Sequence, residues 1–124
     1  MSTDLRFGQL QVQDDAQSTG HTLSLSGELD LASAAELEAA IVRLCRDGAQ
    51  RIVLDLEALT FIDSTGLRAI LYAIEMCAAQ GCGFHITPGP VQVQRLFAVA
   101  GVLDSLPFVA VERASPQQDE RRPA

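Results

Sequence analysis

The stretch RIVLDL at 51–56 constrains the fold more than any other part of the chain. It is short, apolar and rich in β-branched residues. Such a run reads as a central strand buried on both faces. Its flanks agree. Before it, Leu37, Ile41 and Leu44 recur at i, i+4 and i+7, which makes one face of a helix apolar. After it, Leu67, Ile70, Leu71 and Ile74 fall on a second helical stripe. A buried strand between two amphipathic helices predicts strand–helix–strand units, parallel pairing and right-handed crossovers.

The remaining elements arrange themselves around this unit. Leu5 and Phe7 alternate on odd positions, Leu10 and Val12 on even ones. That change of parity at Gly8 and Gln9 predicts a bulge within one strand. DDAQSTG at 14–20 reads as a polar loop, and TLSLSG at 22–27 as a second strand, closing an antiparallel hairpin. GELD at 27–30 ends it. Ser33 and Glu36 have the spacing of a capping box, and Gly48 stops the first helix. EALT at 57–60 reads as a connection. GCG at 81–83 ends the second helix, and GFHIT at 83–87 is a short strand. Pro90 suits the first turn of a third helix, VQVQRLFAVAG, with Val93, Leu96, Phe97 and Ala100 inward and Gly101 as its stop. VLDSL is a turn and FVAV at 108–111 a last strand. The fold class is therefore α/β: a mixed β-sheet with parallel central strands, an N-terminal antiparallel hairpin and about three main helices. The helices sit mainly on one face, which leaves the other to be covered or open to a partner. One domain spans 1–112. RASPQQDERRPA, from Arg113 to the end, lacks apolar periodicity and is expected to be a disordered tail.

Charge removes several functions. The 124 residues carry a net charge of −7, without the basic surface that replaces counterions on nucleic acid or attracts anionic lipid. No apolar stretch approaches the ~18 residues of a membrane span, and no secretory leader is evident. Cys45, Cys77 and Cys82 are odd in number and show no zinc spacing with His21 or His85. Reduced, buried or half-buried thiols in the cytoplasm are the expectation.

Catalytic chemistry finds little support. Ser64, in FIDSTG at 61–66, has no G-x-S-x-G around it, and neither histidine has the context of a general base. No phosphate-cradling glycine loop occurs, and the chain has no Lys. Asp30, Asp55 and Asp63 all follow strands or enter helices, but three scattered carboxylates are more often caps and turn residues than a metal site. No catalytic residue, metal or cofactor is therefore expected. On pattern alone, Asp63, Ser64 and Thr65 are good helix N-caps.

Their surroundings are less ordinary. GELD after a strand, IVLDL as the next strand and FIDSTGLRAIL opening the next helix resemble the STAS domain of bacterial anti-sigma factor antagonists. GFHIT and VQRLFAVAGVLDSLPF fit the same family, so the resemblance covers Asp4 to Val111. It implies a non-enzymatic switch that binds an anti-sigma factor with serine kinase activity, so freeing the sigma factor. It further implies that the kinase phosphorylates Ser64, that the modified protein lets go, and that a metal-dependent serine phosphatase resets it. Thr65 stands where the family often has a second Ser. By the same resemblance Asp30, Asp63, Ser64, Thr65, Gly66 and Arg68 form the partner surface. Gly66 serves either close approach of the partner or internal packing. With Ser64 as the acceptor, Asp63 is the better candidate for the cap. A second reading of the resemblance is an adaptor for a membrane transporter or lipid-transport ATPase that works without phosphorylation.

Overall fold

The computed structural model describes residues 2–110. A single five-stranded sheet runs in the order β1 (Ser2–Phe7), β2 (Leu10–Ala16), β3 (Gly20–Leu29), β4 (Arg51–Ile62) and β5 (Gly83–Ile86). The first three strands are antiparallel neighbours. β3, β4 and β5 pair in parallel. Each parallel step is crossed by a helix, α1 (Ala34–Arg46) and then α2 (Ser64–Ala79). A third helix, α3 (Val91–Val99), and a short 3₁₀ turn (Leu103–Ser105) follow β5.

Two successive crossovers in the same direction along a sheet place α1 and α2 on the same face, because the crossover hand is fixed. One continuous core results. Ile52, Leu54 and Leu56 of β4, with Leu23 and Leu25 of β3, meet Leu37 and Ile41 of α1, Ile70 and Ala73 of α2, and Val93 and Phe97 of α3. Val53 and Asp55 point to the opposite face, yet they are only 8% and 4% exposed. The central strand is thus buried on both sides, as RIVLDL implies.

The structure departs from the sequence reading at several places. Gly8 and Gln9 form a tight turn, with Gly8 at φ 59°, so the parity change marks two strands joined as a hairpin instead of a bulge in one. β2 and β3 extend into DDAQSTG and leave only residues 17–19 as loop. EALT is strand: β4 continues to Ile62. It escapes recognition because the register with β3 shifts twice. Ser24 to Ser26 faces Asp55 to Ala58, and Gly27 to Glu28 faces Leu59 to Phe61. Each shift puts an extra residue into β4 and breaks the period of two.

Ser33 does precede α1, but it makes no capping box. Its hydroxyl accepts from the Asp30 N–H at 3.1 Å and donates to the Glu28 carbonyl at 3.1 Å, so it ties the turn before the helix. Pro90 stands at the N-cap of α3, directly before its first turn, and Ala100 is exposed instead of inward. The last strand reduces to one parallel bridge between Ile86 and Phe108, and Val111 lies outside the described residues. The expected tail, 113–124, also lies outside them.

Candidate functional site

β3 and β4 end side by side, with Leu29 registered against Ile62. The Asp63 N–H donates to the Leu29 carbonyl at 3.3 Å, which joins the two exits. From Asp63 the backbone turns from an extended conformation into α2. An Asp at this position satisfies a free amide of the first turn. Here its Oδ1 accepts from the Gly66 N–H at 2.9 Å, and its carbonyl accepts from the Leu67 N–H at 2.9 Å.

Because Asp63 is the cap, Ser64 is not needed as one. Ser64 is exposed, and its hydroxyl has no hydrogen-bond partner among the described residues. Thr65 is half-buried, and Arg68, one turn on, is exposed while Leu67 turns inward. Gly66 is buried. A Cβ there would lie 2.5 Å from the Leu29 carbonyl oxygen and 2.9 Å from Leu29 Cγ. Of its two expected uses, internal packing is the one built into the fold.

Asp30 stands at the exit of β3, beside the same edge. Its Oδ1 accepts from the Ala32 N–H at 3.0 Å, and its carbonyl accepts from Ser33 and Ala34. It therefore shapes the entry to α1 while remaining half-exposed. Asp55 lies in mid-sheet, away from this edge. Its carboxylate accepts from the Glu57 N–H at 3.0 Å and from the Thr87 hydroxyl at 3.4 Å, while that hydroxyl accepts from the Leu56 N–H at 2.8 Å. Asp55 holds β4 in shape.

Neither histidine approaches Ser64. His21 is the second residue of β3 and is bonded to Asp14 at 2.7 Å. His85 is registered against Val53, nine residues up β4 from Ile62, roughly 30 Å away at strand rise. The Ser64 hydroxyl thus has no imidazole base among the described residues.

Two exposed apolar residues at this edge escape the sequence reading. Leu31, directly after Asp30, is 77% exposed, and Phe61, two residues before Asp63, is 47% exposed. Phe61 opens onto a groove of about 350 Å³ shared with Leu96, Val99 and Arg95 of α3. In a sequence both look like core. For Phe61 the signal is parity: Ile52, Leu54 and Leu56 point inward, the two single-residue shifts in β4 cancel, and Ile62 falls inward while Phe61 falls outward.

Comparison with known proteins agrees with this architecture. The model of the STAS domain family matches residues 9–114. The anti-sigma-B factor antagonist of Staphylococcus aureus is 26% identical over 95 residues, covering 77% of this chain and 88% of that protein. An anti-sigma factor antagonist from Mycobacterium paratuberculosis superposes with a TM-score of 0.70 at 24% identity, over 82% of this chain and 86% of the other. The antagonist SpoIIAA in its unphosphorylated form gives 0.70 at 20% identity, over 89% and 96%. Bacillus SpoIIAA in the phosphorylated form gives 0.65 at 22% identity, over 90% and 99%. At these identities the superpositions speak to the fold.

Proposed function

The chain belongs to the STAS domain family, and on that premise we propose that it is an anti-sigma factor antagonist switched by phosphorylation of Ser64. The observation that carries the proposal is the division of labour at the start of α2. Asp63 caps the helix, and Ser64 is left exposed, its hydroxyl without a hydrogen-bond partner among the described residues. The name of the Staphylococcus aureus relative and the phosphorylated form of SpoIIAA support it.

The partner in this reading is an anti-sigma factor with serine kinase activity, and a serine phosphatase resets the switch. The partner surface comprises Asp30, Asp63, Ser64, Thr65 and Arg68, with Gly66 holding the turn from behind and Leu31 and Phe61 adding apolar area. Binding frees the sigma factor, and the protein itself performs no chemistry. It acts in the cytoplasm, consistent with a net charge of −7 and with the absence, among the described residues, of a helix long and apolar enough to cross a membrane.

The physics of the switch follows from the location. A helix N-terminus tolerates added negative charge, so a phosphate on Ser64 leaves the fold standing. The same group brings about −1.5 to −2 charges next to Asp63. Inside a packed interface this adds bulk, desolvation and repulsion. A loss of about 3 kcal/mol there weakens binding by roughly a hundredfold.

The test is incubation with the partner kinase and ATP, followed by peptide mapping. Phosphate at Ser64, and a Ser64→Ala protein that stays unmodified and bound, are expected. Phosphate elsewhere, or capture of a transport ATPase in place of an anti-sigma factor, would overturn the proposal.

A further inference from the structure

Cys45 lies at the end of α1, Cys77 near the end of α2, and Cys82 in the turn to β5. All three are buried, and their sulfurs lie within 4.8 Å of one another. Cys45 and Cys77, 32 positions apart in the chain, have their Sγ atoms 2.9 Å apart. A disulfide bond is about 2.05 Å long, so closing it asks each sulfur to move by less than ~0.5 Å. We propose that Cys45 and Cys77 are a disulfide-forming pair that clasps α1 to α2 under oxidation.

Charge separates this product from a metal site built on the same three sulfurs. Zinc held by three thiolates would leave a net negative charge in an apolar core, and a cuprous ion would leave two. Buried, uncompensated charge is costly, and structural zinc takes four ligands. Among the described residues, no His, Asp or Glu joins the three cysteines. A disulfide leaves no charge. Burial, with Cys45 alongside, pushes the Cys77 thiol well above its ordinary range; burial and the neighbouring Cys45 bring Cys82 up to about 11. Cys77 and Cys82 therefore rest as neutral thiols, and a disulfide adds no charge to the core.

With a peroxide as oxidant, the step balances as follows. Cys45, which keeps 8% exposure against none for Cys77, takes one peroxide oxygen to become a sulfenic acid, and one water leaves. The Cys77 sulfur then attacks the Cys45 sulfur, the S–S bond forms, and the second water leaves. Two S–H bonds and the peroxide O–O bond break; two thiols are oxidised and the peroxide is reduced. The attacking species is a thiolate, so protonated, buried thiols close the clasp slowly and faster as pH rises. A pair of this kind in a reducing compartment is redox-responsive, not permanently bonded. It is also independent of the phosphoswitch: Cys77 lies thirteen residues along α2 from Ser64, about 20 Å at helical rise.

The experiment treats the folded, reduced full chain with hydrogen peroxide, counts free thiols in denaturant and maps the linkage by mass spectrometry. Thiols fall from three to one, the peptides of Cys45 and Cys77 emerge joined, and the thermal midpoint rises and reverts on reduction. Cys82→Ser still forms the clasp, whereas Cys77→Ser abolishes that linkage. The wild-type map needs no variant to fold. Three free thiols after prolonged exposure, a dominant bridge to Cys82, or stoichiometric uptake of zinc or cuprous ion by the reduced protein would each overturn the proposal.

Discussion

The Cα of Gly66, in the first turn of α2, faces the carbonyl oxygen of Leu29 at the end of β3 so closely that a Cβ would lie 2.5 Å from it. The contact sets how near the helix start can come to the sheet edge. The same carbonyl accepts the Asp63 N–H. Ser64 is therefore presented by a turn braced from behind.

Gly66→Ala is expected to destabilise the protein. In a free helix the change favours folding by about 1 kcal/mol. Here backbone blocks the methyl, and overpacking costs about 1–3 kcal/mol. Urea unfolding monitored by circular dichroism decides the sign. An alanine variant as stable as the parent would show that α2 can move off Leu29.

Asp63→Ala removes the acceptor of the Gly66 N–H and is expected to cost about 1 kcal/mol. Ser64→Ala, at an exposed position with no side-chain hydrogen bond among the described residues, is expected to change stability by less than ~0.5 kcal/mol. Denaturant midpoints of the two variants, side by side, test which residue is the cap. A larger loss for Ser64→Ala would reverse the assignment.

Thr87→Val replaces a hydroxyl that accepts from the Leu56 N–H at 2.8 Å in a residue only 2% exposed. The amide is left buried without that partner, at about 1–3 kcal/mol. Thr87→Ser keeps the oxygen and is expected to recover part of the loss. Equal stability of the Val and Ser variants would mean that the hydroxyl does not matter.

Alkaline pH is expected to weaken the reduced protein. Burial and Cys45 raise the Cys82 thiol from 9.0 to about 11, and burial moves Cys77 the same way. The folded state therefore holds protons that the unfolded state releases. This contribution is complete below pH 9 and lost as pH rises through 11. Thermal midpoints under reducing conditions across that window should fall, and fall less for Cys82→Ala. Parallel curves for parent and variant would count against the assignment.

The arrangement was legible wherever burial is local. RIVLDL announced a doubly buried strand, and the stripes of α1 and α2 named their inward residues, because a helix or a strand writes its own period into the sequence. The boundaries of β4 were not legible, because its bulges depend on how it registers with β3. Ser33 looked like a cap because its spacing to Glu36 is right, but the turn at Asp30 competes for the same hydroxyl. Leu59 is turned inward only by the first shift between β3 and β4, which no local period shows.

By itself, the sequence determined the α/β class, the parallel centre and the polar knot of Asp63, Ser64 and Thr65 at the head of α2. Those properties follow from residue type and period over a few neighbours. Only the tertiary structure decided that Asp63 takes the cap and frees Ser64, that Gly66 braces against Leu29, and that Cys45 meets Cys77. Each of these depends on side-chain placement across turns, strands and crossovers, which no local period encodes.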